Sequence, residues 1–159
     1  MRASSVLPAV VVSLGLIGCG SQPAQEFDQA DRANIAKFIE DFVAVYNAKD
    51  AAKVAQHFTD NGAVMPPNAS TVTGTESVRI YYDNRFRQGA SDLKLETLDV
   101  VGVGSLAYAT GNYWLNMAPP GGEVRRDRGK FIFILRERRD RWLLERLMFS
   151  SDFAAQASS

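Results

Sequence analysis

The sequence predicts a single α+β domain, with helices gathered at the front and antiparallel strands behind them. Three observations carry this. An amphipathic stripe at helical spacing occupies residues 31–46, a second such stripe lies near residues 75–86, and from residue 93 onward the chain alternates apolar and polar residues between Gly- and Pro-rich turns.

The elements follow in order. Ile35, Phe38, Ile39, Phe42, Val43 and Tyr46 repeat at i, i+3, i+4, i+7, i+8 and i+11, with Lys37, Glu40 and Asp41 off the stripe, so a helix is expected from Asp31. Asn47-Ala48-Lys49-Asp50 ends it. Asp50 is placed to cap a short second helix that turns Val54, Ala55 and Phe58 inward and stops at Thr59-Asp60-Asn61-Gly62. Val64-Met65 reads as a short strand, ended by Pro66-Pro67 because proline donates no ladder hydrogen bond. Thr73-Gly74-Thr75-Glu76 has capping-box spacing and opens a third helix with Val78, Tyr81, Tyr82 and Phe86 on one face. Strands are then expected through Leu93 and Leu95, from Leu106 to Met117, from Lys130 to Arg136 and from Trp142 to Phe149.

The first residues carry a different signal. Arg2 precedes a twelve-residue apolar run, Val6 to Ile17, that closes on Leu16-Ile17-Gly18-Cys19, the pattern of a secretory peptide too short to span a bilayer. The end of this run resembles the bacterial lipobox. That resemblance implies cleavage before Cys19, lipidation of its thiol, and, with Gly20 next, residence at the outer membrane facing the periplasm. Cys19 is the only cysteine, so neither a disulfide framework nor a thiolate metal cluster is expected. The organisation is thus 1–18 signal peptide, 19–28 lipidated tether, 29–153 domain and 154–159 disordered tail. Removing Arg2 leaves Lys+Arg one below the 18 Asp+Glu, a near-neutral chain with no general attraction for nucleic acid.

Six blocks stand out by their order and spacing: Tyr46-Asn47-Ala48-Lys49-Asp50, Phe58 to Val64, Val72-Thr73-Gly74, Ala107 to Gly111, Asp127 to Phe131, and Trp142 with Ser151-Asp152. Together they resemble the SnoaL-like, ketosteroid-isomerase-like branch of the nuclear transport factor 2-like superfamily. The resemblance implies a cone, in which a curved antiparallel sheet wraps three N-terminal helices around a pocket. It does not transfer the isomerase chemistry, because the positions matching the isomerase's tyrosine and two aspartates are Phe42, Pro66 and Gly129, none of which holds a proton. A further aspartate, common near the end of the last strand in SnoaL-like relatives, is replaced by Leu147.

The family register turns Thr110, Asn112 and Trp114 into the cone, with Phe131, Phe133, Glu145, Leu147 and Phe149 on neighbouring strands and Tyr46, Tyr82 and Phe86 from the helices. Tyr46, Tyr82, Phe86, Asn112, Trp114, Phe131 and Phe149 are therefore the expected ligand contacts, and Glu145 the candidate base. The alternative for Glu145 is a bulge near Arg146 that turns it outward to an arginine, since one residue of slip exchanges the faces of a strand. His57 reads as a satisfied or exposed side chain, and Asp127 as a surface ion-pair partner rather than a metal carboxylate. No metal or cofactor is expected. Glu123 to Arg146 contains nine basic and five acidic residues, which suits a solvated strand edge or contact with anionic headgroups.

The leading functional expectation is non-catalytic binding of a small, largely apolar molecule in the pocket, in a chain held to the membrane through Cys19. The alternatives are an isomerase, cyclase or dehydratase using Glu145, and a non-binding module dimerising through the outer face of its sheet.

Overall fold

The computed structural model describes residues 27–153. The expected signal peptide, Cys19, most of the expected tether and the expected tail at 154–159 lie outside the described residues. Three helices, α1 (Gln29–Asn47), α2 (Ala51–Ala55) and α3 (Thr75–Arg87), pack into the hollow of a curved six-stranded sheet. Its strands are β1 (Phe58–Met65), β2 (Val72–Thr73), β3 (Ala90–Val103), β4 (Leu106–Met117), β5 (Arg125–Arg138) and β6 (Arg141–Ser151), in the order β2-β1-β6-β5-β4-β3. β3 to β6 form the expected antiparallel meander. β1 joins β6 in parallel, with Val64 opposite Leu147.

Helix α1 starts earlier than Asp31 because Asp28 and Asp31 form a reciprocal capping box, each side chain accepting from the other's backbone N–H. Its stripe is buried as expected, with Ile35, Ile39, Phe42 and Tyr46 inward. Asp50 caps α2 through the Lys53 N–H. The second helix is shorter than expected: Phe58 opens β1, and Thr59 to Gly62 form an irregularity in the pairing with β6 rather than a terminating turn. The capping box expected at Thr73 does not form. Gly74 is the N-cap of α3, at φ 89° and without a side-chain bond, a left-handed conformation that glycine adopts without strain.

Asn47 ties the end of α1 to the start of β3, since its side chain donates to the Leu93 carbonyl at 3.0 Å and accepts from the Leu93 N–H at 2.7 Å. At the other end of α1, the Phe27 ring meets Trp142 edge-on, and a Cβ on Gly102 would meet that ring at 2.4 Å. Phe27 therefore lies beside the β3–β4 and β5–β6 turns.

Candidate binding cavity

The C-terminal half of α1, the second half of α3 and the inner faces of β3 to β6 enclose a cavity of about 50 Å³. Phe42 and Tyr46 come from α1, Tyr81, Tyr82 and Arg85 from α3, and Leu93, Leu95, Tyr113, Leu115, Phe131, Phe133, Leu147 and Phe149 from the sheet. The rings interlock edge to face: Phe42 stands 5.5 Å from Phe133, and Tyr46 is 5.9 Å from Tyr82 and 5.0 Å from Phe86, the geometry their quadrupoles favour. A vestibule of about 330 Å³, walled by Pro66, Pro67, Ala69, Asn84 and Gln88, adjoins the cavity and shares Tyr81, Arg85 and Phe149 with it.

Of the expected contacts, Tyr46, Tyr82, Phe131 and Phe149 line this cavity, and Phe86 backs Tyr46 from behind. Asn112 and Trp114 do not. The inward residues of β4 are Ala107, Ala109, Gly111, Tyr113 and Leu115, so Thr110, Asn112 and Trp114 sit on the outer face. Asn112 there donates to Glu96 at 2.9 Å, and Trp114 borders an open polar groove with Lys94, Arg126 and Arg128. The inverted parity has a steric reason. At Gly111 an inward Cβ would meet the Glu96 carbonyl oxygen of the neighbouring strand β3 at 2.0 Å and the Phe131 ring at 2.8 Å, so the position takes no side chain.

Glu145 also lies outside. The β5–β6 register shifts between Ile134 and Leu135, opposite Arg146 and Leu144 respectively. This bulge leaves Leu144 and Leu147 both buried and turns Glu145 outward. Its carboxylate pairs with Arg136 at 2.5 Å, each side chain about 30% exposed. Glu145 thus fails as an internal base, and the bulge alternative describes its position.

The groups missing from the expected site are Tyr81, Arg85 and Tyr113. Arg85 follows Tyr81 and Tyr82 at i+4 and i+3, so its place on the apolar stripe of α3 was the available signal. The Arg85 guanidinium lies 5.7 Å from the centre of the Phe149 ring. Burial would lower its pKa, but neighbouring Tyr81 and Tyr46 raise it on balance, and it is a cation throughout the ordinary pH range. Burial raises the pKa of Tyr46 against the opposing pull of Arg85, raises that of Tyr82 strongly, and pushes Tyr81 up to about 12. The Tyr81 hydroxyl is buried and meets no partner among the described residues, and the buried Tyr46 hydroxyl has the Arg85 guanidinium as its polar neighbour.

Asp127, expected as a surface ion-pair partner, forms no salt bridge among the described residues. It accepts from the Tyr113 hydroxyl at 3.1 Å and from Ser151 at 2.6 Å, and burial together with this carboxylate raises the Tyr113 pKa. His57 takes a structural place, its Nδ1 2.9 Å from the Lys53 carbonyl and its ring packed on Phe38 and Phe42. At Gly129 a Cβ would meet the Ser150 carbonyl oxygen at 1.8 Å, so no side chain fits the position corresponding to the isomerase's second aspartate.

No curated protein matches the sequence. Among solved structures, a ketosteroid isomerase-like protein from Erwinia carotovora atroseptica superposes with a TM-score of 0.73 at 20% identity, over 80% of this chain and 100% of that one. An NTF2-like protein with a cystatin-like fold from Novosphingobium aromaticivorans does so with a TM-score of 0.67 at 15% identity, over 79% and 84% of the two chains. At these identities the likeness is one of fold. In sequence, the SnoaL-like domain family matches residues 39–143, from the middle of α1 to the start of β6. The chain belongs to the SnoaL-like domain family and carries the cone fold of nuclear transport factor 2-like proteins.

Proposed function

We propose that this protein binds a small, largely apolar molecule inside its cone, while a lipidated Cys19 holds the chain at the outer membrane, facing the periplasm. The observation that carries the binding reading is the buried Tyr81 hydroxyl without a partner, beside a Tyr46 hydroxyl whose polar neighbour is Arg85, at an otherwise aromatic and aliphatic cavity. A buried polar group without a hydrogen bond costs on the order of 1–3 kcal/mol, and a ligand that supplies one recovers it. Volume limits the guest. At roughly 10–15 Å³ for each water-sized centre, 50 Å³ takes a compact group of about four heavy atoms, with any remainder in the vestibule. A steroid-sized body does not fit unless the wall of rings moves.

Native mass spectrometry of the purified full chain tests this reading. An additional mass that leaves on denaturation supports it. A bare chain that also takes up no small apolar compound overturns it. Anchoring is tested separately by Cys19→Ala, which should leave the membrane fraction or accumulate as precursor. A variant cleaved and retained like the parent would refute lipidation.

The enzymatic alternative loses Glu145 to the outer face, and with it the base on which it rested. The outer face supports a second proposal, that two copies pair through their sheets, because Val101, Val103, Leu106, Tyr108, Ile132, Ile134 and Met148 are exposed there. Light scattering should give twice the chain mass, and Ile132→Lys should halve it. A wild-type monomer would end this proposal.

A further inference from the structure

We infer that the ligand is a monocarboxylate with a compact apolar tail, whose head group is taken by the Arg85 guanidinium and the Tyr46 hydroxyl at the neck between cavity and vestibule. This deepens the binding reading above and rests on it. Arg85 lines both chambers, so it stands where a tail in the inner chamber would end. Among the described residues it forms no ion pair. A cation held against apolar walls without a counter-ion is costly, and an anionic guest removes that cost. Asp127 does not fill the role, because its two oxygens are engaged by Tyr113 and Ser151.

The second group is Tyr46, which is 4% exposed, lines the cavity and has its hydroxyl beside the Arg85 guanidinium. Its pKa is raised, so it remains a neutral donor at ordinary pH. A guanidinium edge and a phenol O–H together offer donors to both oxygens of a carboxylate. The Arg85 guanidinium carbon lies 5.7 Å from the centre of the Phe149 ring, and no acidic side chain among the described residues pairs with its N–H groups. A cationic ligand would be repelled here, and a neutral one would leave the guanidinium without its partner.

The test titrates the full chain with acetate, butyrate, hexanoate and benzoate, using 1-butanol as the uncharged control, and follows tyrosine ring signals by NMR. Butyrate should bind about tenfold or more tighter than 1-butanol, the ratio expected of a charge-assisted hydrogen bond. Affinity should rise by about fourfold per methylene from acetate to butyrate while the chamber fills. Hexanoate against benzoate then tells an extended tail from a planar one. Arg85→Gln should bring the butyrate-to-butanol ratio to about one, with Arg85→Lys retaining part of it and an unchanged Tm confirming the fold of both. A wild-type ratio near one, or a ratio unaltered by Arg85→Gln, overturns the carboxylate inference and leaves the cavity reading standing. Absence of ring shifts with all five compounds overturns both.

Discussion

The two faces of strand β4 have opposite characters, and neither is the one that bulk alone would assign. Its inner face is built from Ala107, Ala109 and Gly111, then widens to Tyr113 and Leu115. The outer face carries Tyr108, Thr110, Asn112 and Trp114, with Tyr108 and Trp114 about 40% exposed. The small inner residues lie toward the β3–β4 turn, and the large ones, Tyr113 and Leu115, line the cavity. Side-chain size on the inner face therefore reports the space at each position, whereas polarity reports water, and on β4 the two cues point to different faces.

The sharpest way to break this contrast is to truncate one large residue on each side of the sheet. Phe42, 2% exposed and in contact with the rings of Tyr46, Tyr82, His57 and Phe133, should cost about 3–5 kcal/mol on replacement by Ala. Trp114→Ala on the outside should stay within about 0.5 kcal/mol for the monomer. Urea denaturation measures both, and equal losses would mean that the faces are not distinct.

Next in size is Gly129→Ala. The added methyl meets backbone rather than a side chain that can swing away, so a loss of about 1–3 kcal/mol is expected, readable as a lower Tm. A neutral outcome would show that β5 and β6 part more easily than their spacing suggests.

A third test is pH. The inner tyrosines Tyr46, Tyr81, Tyr82 and Tyr113 have raised pKa values, whereas in the unfolded chain they titrate near 10. Above pH 10 the unfolded state therefore binds fewer protons than the folded one, and stability must fall as pH rises. The urea midpoint should drop between pH 9 and pH 11. A flat midpoint would place these hydroxyls in water.

The smallest effect is expected at Glu145→Gln. Its pair with Arg136 is half in solvent, a setting where ion pairs contribute about 0.2–1 kcal/mol, and binding in the cavity should not change. Loss of binding would bring Glu145 back inside the cone.

The helices were legible because a period of 3.6 fixes which residues face inward, and Ile35, Ile39, Phe42, Tyr46, Val78 and Tyr82 are buried accordingly. Strand existence was equally plain, with Leu106 to Met117 matching β4 end to end. Strand facing was not, because it turns on single-residue events. The bulge at Glu145 inverts the parity read backward from Leu147 and Phe149, and no residue type there announces it. Arg85 was missed for another reason. A charge on an apolar stripe reads as an edge until the opposite wall, here Phe149, is known to be close.

The place where the chain enters the domain has a consequence for orientation. Phe27 docks against Trp142 and Gly102, and the cavity gathers around the far end of α1, a helix of 19 residues and so roughly 28 Å long. Phe27 and the vestibule thus lie toward opposite ends of α1. A partner or surface contacting the Phe27 end would leave the Arg85 side of the cavity uncovered.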